Sequence, residues 1–331
     1  MTKVTLVTGT SYDVGVGISI LEAAEAAGLH LPHSCRSGRC STCKCKIVGA
    51  TEELSAETGL NETEKSEGWV LACVRSPLED VAVDLAEIDG ACFAKPRMIP
   101  AKIDALELLS DDVMRVRLRL PPGTGFDFVA GQYVDVVGRG GLRRSYSLAR
   151  RAAGSQLELH IRRVEGGEMS AYWFDEAKVN DLLRIHGPLG TFCLRHGPET
   201  TVVFLATGTG IAPVMAMLEE LASLPEAERP DKVAVYWGGR SPLDLYCDPA
   251  THFDGAEVVT TLSRADGDWG GMRGYVQDHA LALITRLGDP SNVQVYACGS
   301  DAMIRTSRAV MEVAGVPRHA FFSDAFVASN N

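Results

Sequence analysis

The spacing of apolar residues changes twice along this chain, and the changes divide it into thirds. In the first third, residues 3–8 alternate polar and apolar side chains, as a half-buried strand does, and residues 13–17 predict a second strand after a turn. Ser19 then reads as the N-cap of a helix over residues 20–27, with Gly28 as its stop. A cysteine-rich loop follows. Beyond it come a predicted strand at residues 44–48, a polar acidic stretch through Glu67, and a last strand near residues 81–85. A small sheet packed on one helix accommodates this pattern.

Residues 89–99, with Gly90 and Pro96, lose periodicity and read as a linker. From 100 to 197 the period is two. Val116, Leu118 and Leu120 alternate with Arg115, Arg117 and Arg119; Leu157, Leu159 and Ile161 alternate with Glu158, His160 and Arg162. Strands of this kind, separated by Gly/Pro turns and interrupted by one helix after Gly167, predict an antiparallel six-stranded barrel. In the last third, apolar runs at 202–206, 233–237, 258–262 and 293–297 alternate with helical stretches at 213–221 and 303–313. That pattern predicts a doubly wound parallel sheet. The expected fold class is multidomain, α+β and α/β, with domains at 1–89, 98–197 and 198–331.

Composition removes several function classes. Of the 331 residues 46% are hydrophobic and 23% charged, and the net charge is −11. An acidic chain lacks the basic footprint of a general nucleic-acid binder. No apolar run of about 18 residues is present to span a bilayer, and Met1-Thr2-Lys3-Val4 opens no secretory signal. A cytoplasmic protein, with neither nucleic acid nor membrane as partner, is expected.

Nine cysteines change the picture more. Cys35, Cys40 and Cys43, followed by Cys73, give C-x4-C-x2-C…C, the plant-type [2Fe–2S] spacing. Four thiolates must surround two irons, three of them from one tight loop, and Gly38, Ser37, Ser41 and Thr42 are small enough for backbone N–H groups to reach the sulfurs. Structural zinc is the competing reading, but zinc sites favour paired C-x2-C hooks and only one short hook occurs here. Cys45 reads as a buried small residue instead of a ligand. Arg36, Arg39, Lys44 and Lys46 lie around the loop with no acid among residues 33–46, although residues 1–88 hold 7 basic and 13 acidic groups. These are either solvated charges or a basic collar that steers an acidic partner.

In the barrel segment, Arg144 and Tyr146 of Arg144-Ser145-Tyr146-Ser147 share a strand face, which suits a phosphorylated aromatic ligand and equally suits an ordinary strand surface. His160 and Arg162 occupy a polar strand face, and Gly166-Gly167 opens a helix whose free N–H groups suit a pyrophosphate. Further on, Gly208-Thr209-Gly210 follows an apolar run directly, with Pro213 marking a helix start. It is neither a Walker loop nor a full G-x-G-x-x-G. Gly238-Gly239-Arg240 and Cys298-Gly299 also follow apolar runs, so all three turns gather where open α/β sheets bind ligands.

With these motifs in hand, the chain resembles the ferredoxin–NADP reductase superfamily, in the subgroup with an N-terminal plant-type [2Fe–2S] domain that includes reductases of naphthalene-type dioxygenases and of a CDP-deoxysugar dehydrase. The resemblance rests on the loop Cys35 to Cys45, residues 144–149, 159–164, 187–191, 208–214, 296–299 and 323–326, and it covers the chain from end to end. It implies a β-grasp fold for the first domain, and it implies FAD, with Arg144 at the pyrophosphate, Tyr146 stacked on the ring and Ser147 near its N5, and Ser145 beside them. It also implies that His160, Ile161 and Arg162 line the ribityl and phosphate region, and that Gly167, Met169 and Ser170 hold the pyrophosphate. Phe326 would cover the opposite flavin face. Thr207, Gly208, Thr209, Gly210, Cys298 and Gly299 would hold NADH or NADPH, with Cys298 against the nicotinamide and Asp324 supporting hydride transfer. Ser263, Arg264 and Tyr275 resemble the ribose-phosphate pattern of NADPH users, and Arg264 with Arg240 would meet a 2′-phosphate; two solvated loop arginines are the other reading, so the coenzyme stays open.

The expected function is electron transfer from NAD(P)H through FAD and [2Fe–2S] to an acceptor protein, either an oxygenase component or its Rieske-type ferredoxin, or a sugar dehydrase. A redox-sensing regulatory protein with the same cofactors is the competing class. A stand-alone oxygenase is disfavoured, because no oxygen-activating metal site is visible.

Overall fold

The computed structural model describes residues 1–88, 93–151 and 154–326. Most of the expected linker is described, but residues 89–92, including Cys92, lie outside it. Two compact units are present, one formed by Met1–Phe93 with Gly190–Phe192, the other by Ala94–Leu189 with Cys193–Asn331.

The first unit is a mixed five-stranded sheet in the order Ser11–Val14, Thr2–Leu6, Val81–Val83, Lys44–Val48, Trp69–Leu71. The first and last strands of the chain segment, Thr2–Leu6 and Val81–Val83, pair in parallel at its centre. Helix Ile20–Ala26 lies against this sheet through Ile20, Leu21, Ala23 and Ala24, and the Ser19 hydroxyl accepts the Glu22 N–H as expected of an N-cap. The second strand starts and stops earlier than its alternation suggested, because Gly15–Gly17 form the turn into the helix and Gly17 has φ +70°. The acidic stretch hides one short helix, Glu62–Ser66, closed by a reciprocal capping box between Asn61 and Glu64.

Six antiparallel strands begin the second unit, in the order Arg143–Ser147, Tyr133–Val137, Leu182–Leu189, Arg97–Ser110, Val113–Arg119, Gln156–Arg162. A bridge between Leu148 and Leu159 joins the two edges and closes the sheet. Val116, Leu118, Leu159 and Ile161 point into the barrel, so the period-two reading holds. One detail departs from it. Glu158 and His160, expected on a polar face, are both buried: Tyr246 of the nucleotide-binding half meets His160, and Glu158 is paired with His160 and Arg117 of the barrel itself.

That half is a wholly parallel sheet in the order Met272–Arg273, Ala256–Leu262, Lys232–Gly239, Thr201–Thr207, Val293–Ser300, Phe321–Phe326. Helices Ile211–Ser223, Val276–Leu287 and Asp301–Val313 connect its strands. The chain enters at Thr201–Thr207 and then builds outward on both sides, so the switch point lies at the carboxyl end of this strand. Gly208 stands there.

Candidate functional site

Around the cysteine loop the backbone turns inside out. Arg36, Gly38 and Ser41 all have positive φ (56°, 73° and 58°), which aims main-chain N–H groups at the sulfurs. Ser37 and Arg39 donate to Cys35 Sγ and Cys35 donates to Cys40 Sγ, each at 3.4 Å. Only glycine fits at position 38, since a Cβ would stand 2.6 Å from the Ala56 carbonyl oxygen.

The four sulfurs associate two by two, Cys35 with Cys40 and Cys43 with Cys73. Hydrogen bonding from Cys40, helped by Ser37 and Arg39, pulls the Cys35 thiol down to about 5 against a burial that pushes it up. Cys73 is lowered in the same way by Cys43, while the donors Cys40 and Cys43 are raised. Among the described residues no three metal-ligating side chains converge on one point. Four cysteine thiols with main-chain N–H groups aimed at Cys35 and Cys40 make a donor set that fits a [2Fe–2S] group.

Glu57 was not distinguishable from its acidic neighbours in the sequence. It is 5% exposed and accepts the Leu71 N–H at 2.7 Å and Arg75 Nε and Nη2 at 2.9 and 2.6 Å, bracketing Cys73 on both sides. Two of the four basic residues around the loop are ion-paired. Arg36 pairs with Glu25, and Lys44 with Glu64. Cys45 is fully buried in the core, as expected.

On the barrel, strand Arg143–Ser147 places Arg144 and Tyr146 on one face, both half-buried. The Tyr146 hydroxyl accepts a hydrogen bond from Trp173 Nε1 at 3.0 Å, with the rings 6.2 Å apart and at 84°. Trp173 thereby fixes the tyrosine plane, a role the sequence did not suggest. Burial pushes the Tyr146 phenol up to about 12 against the lowering effect of Trp173 and Arg144, which leaves it neutral. Ser145 is turned away and donates to Asp135 at 2.7 Å, while Ser147 is buried. Met169 packs beneath Gly138, and the Ser170 hydroxyl accepts the Val164 N–H at 2.9 Å, so both side chains are engaged in shaping the turn around Gly167. Ile161 lies in the barrel core, and both nitrogens of His160 are engaged, by Tyr246 at 3.1 Å and Glu158 at 3.2 Å. The arginine–tyrosine face beside a glycine-opened turn fits a flavin dinucleotide through Arg144 and Tyr146.

A cavity of about 680 Å³ opens at the sheet switch point, bounded by Thr207, Gly208, Arg240, Ser263, Tyr275 and Phe326. Glycine is needed on its floor. A Cβ on Gly210 would lie 2.2 Å from the Cys298 carbonyl oxygen, and one on Gly299 2.3 Å from Thr207 Oγ1. Two strand ends thus meet backbone against backbone. Cys298 itself is fully buried and stays a neutral thiol, raised by burial and by Asp324 across the ladder. Its side chain does not bound the cavity; its neighbour Gly299 does. Arg264, also outside the cavity wall, is exposed on the adjoining loop, with its N–H donated to the Arg240 carbonyl. Phe326, 41% exposed, ends the last strand at the cavity mouth.

Arg162 reaches the same cavity. Its Nη2 lies 2.5 Å from Asp244 Oδ1, and Nη1 would be 3.3 Å from a Cβ on Gly208. Asp244, 4% exposed, also accepts the N–H groups of Arg240 and Ser241 at 2.7 and 3.1 Å. Burial alone would raise its carboxyl, but these two N–H groups and the Arg162 guanidinium bring it down to about 2.

Comparisons with known proteins agree with this geometry. The model of the 2Fe-2S iron-sulfur cluster binding domain matches residues 5–78, that of the oxidoreductase FAD-binding domain 100–193, and that of the oxidoreductase NAD-binding domain 204–309. The chain is 35% identical to a CDP-6-deoxy-L-threo-D-glycero-4-hexulose-3-dehydrase reductase of Yersinia pestis, over 94% of each chain. It is 29% identical to the reductase component of a naphthalene 1,2-dioxygenase system of Pseudomonas putida, again over 94% of each. Among solved structures, an Amycolatopsis cytochrome P450 reductase superposes with a TM-score of 0.73 at 29% identity, covering 98% of this chain and 99% of its own. No helix among the described residues is long and apolar enough to cross a membrane. Cysteine pairs, flavin face and coenzyme cavity follow one another in a single family order, and the chain belongs to the ferredoxin–NAD(P) reductase superfamily, in the subgroup that carries an N-terminal plant-type [2Fe–2S] domain.

Proposed function

We propose that this protein is an NAD(P)H-dependent reductase that hands single electrons to an acceptor protein holding its own redox centre. The observation that carries the reading is the glycine-floored cavity at the sheet switch point, bounded by Phe326 and by Arg162 of the flavin barrel, which brings nicotinamide and flavin determinants together in one unit. When bound, FAD and the [2Fe–2S] group convert a two-electron hydride into one-electron steps.

In this reading the chain's own residues bind, orient and exclude. Arg144 holds phosphate, and Tyr146, steadied by Trp173, presents a flat neutral ring to the flavin. Thr207 and the glycine turn would hold the coenzyme, and Phe326 at the cavity mouth would shield the flavin ring from water. Cys298 and Asp324 form the buried wall behind the reacting rings and set their distance, without acting as nucleophile or base. Cys35, Cys40, Cys43 and Cys73 carry the cluster on a loop whose N–H groups offset thiolate charge.

The relatives' names point to two acceptors, oxygenase components and a sugar dehydrase. The higher identity to the dehydrase reductase, 35% against 29%, supports a dehydrase as a second reading for the partner. Both share the electron-transfer step. Under anaerobic conditions, addition of NADH or NADPH to the holoprotein should bleach its flavin absorbance and generate the paramagnetic signal of a reduced [2Fe–2S] cluster. Protein that carries both groups and responds to neither coenzyme would sink the reading.

A further inference from the structure

Two residues that no motif singled out, Asp244 and Tyr246, join the halves of the second unit. They belong to the loop after strand Lys232–Gly239. Each meets one residue of barrel strand Gln156–Arg162. Arg162 Nη2 lies 2.5 Å from Asp244 Oδ1, and His160 Nδ1 lies 3.1 Å from the Tyr246 hydroxyl, with the rings 5.5 Å apart at 69°. Residues 160 and 162 share a strand face because side chains alternate with period two, and the loop offers partners at the same spacing. Two contacts in register restrain rotation as well as separation; a single one would leave a pivot.

The contacts continue inward. Tyr246 stands edge-on to Trp237 at 5.4 Å, and Trp237 Nε1 donates to the Gly208 carbonyl at 3.0 Å. On the barrel side Glu158 accepts from His160 and pairs with Arg117. A chain of hydrogen bonds and ring contacts therefore runs from the barrel strand to the glycine turn.

We propose that Asp244 and Tyr246 are positioning residues, a two-point latch that fixes the glycine turn and its coenzyme against the flavin barrel at hydride-transfer distance. This rests on the reading of the cavity as the coenzyme site. Neither residue touches the reacting atoms; they act through Arg162, His160 and Trp237. Asp244 also bounds the cavity and accepts the Arg240 N–H, whereas Tyr246 stands outside the cavity wall, so removing the Tyr246 hydroxyl loosens geometry while leaving the cavity's binding groups in place, and the chemical step suffers more than binding.

Tyr246→Phe removes one oxygen, and Asp244→Asn removes one charge. In the FAD-loaded full chain, each should lower the limiting rate of flavin reduction about tenfold at saturating coenzyme with flavin content unchanged, and Tyr246→Phe should keep coenzyme affinity within about twofold. Amide hydrogen exchange, read on the same proteins without coenzyme, should speed up at residues 160–162 and 208–210 in both variants. Tyr246→Phe exchanging and reducing at the wild-type rate overturns the latch. Wild-type protein that neither coenzyme reduces overturns the proposed function, and the exchange result then decides the latch by itself.

Discussion

Cys43 and Cys45 stand two residues apart in one sequence cluster, and the tertiary structure gives them opposite tasks. Cys43 pairs with Cys73 across the fold, while Cys45 turns into the core beneath strand Lys44–Val48. Cys73→Ser should therefore abolish the cluster's visible absorbance while NAD(P)H still bleaches the flavin. Cys45→Ser should keep the absorbance and cost about 1–3 kcal/mol of stability, read by urea unfolding, because a buried hydroxyl replaces an apolar thiol. Asp244 supplies a pH signature. Its carboxyl is held at about 2 against an ordinary 3.8, so the folded state favours the charged form. The stabilisation is complete above about pH 4 and is lost as pH falls towards 2. The stability gap between wild type and Asp244→Asn should accordingly shrink over that window, and a gap that widens on acidification would refute the assignment. Spacing alone singled out Cys35, Cys40, Cys43 and Cys73 as candidate ligands, since four cysteines at fixed intervals have few other uses. Glu57, Trp173 and Asp244 were not readable, because an acid or aromatic acquires its role from partners 14 to 82 residues away.

At the scale of elements, strands and helices with one strong period were readable, and those defined by their context were not. Helix Ile20–Ala26 followed from Ser19 and Gly28, and the four central parallel strands from their apolar runs. Helix Val276–Leu287 and strand Phe321–Phe326 escaped notice. The helix buries only part of one face, and the strand mixes Ser323 and Asp324, both buried, with its aromatics. Strand Gln156–Arg162 follows from its alternation, but that its polar residues His160 and Arg162 meet Tyr246 and Asp244 does not. The glycine turn offers the sharpest test at this scale. Gly210→Ala sets a Cβ within 2.2 Å of the Cys298 carbonyl oxygen, a backbone contact that a side-chain rotation cannot relieve. Loss of about 2–3 kcal/mol in urea unfolding is expected, together with a raised KM for coenzyme and normal flavin retention.

Across the whole molecule, coenzyme choice follows from which arginines the fold presents. Arg240 bounds the cavity beside Ser263 and Tyr275, whereas Arg264 stands outside its wall. Arg240→Ala should therefore reduce kcat/KM for NADPH by about tenfold more than for NADH, as one charge–phosphate contact is worth about 1.5–3 kcal/mol, and Arg264→Ala should separate the coenzymes less. Equal effects of both substitutions would contradict this placement. Sequence by itself determined the three architectures, the cysteine spacing and the order of the cofactor motifs, because each is written in local periodicity or in the spacing of chemically distinctive residues. Tertiary structure alone decided the pairing of Arg36 with Glu25 and of Lys44 with Glu64, the buried place of Cys298 behind the cavity wall, and the junction of His160 and Arg162 with Tyr246 and Asp244. Those depend on which surfaces meet after folding, and burial, with the partners it brings, changes what a charged or aromatic side chain does.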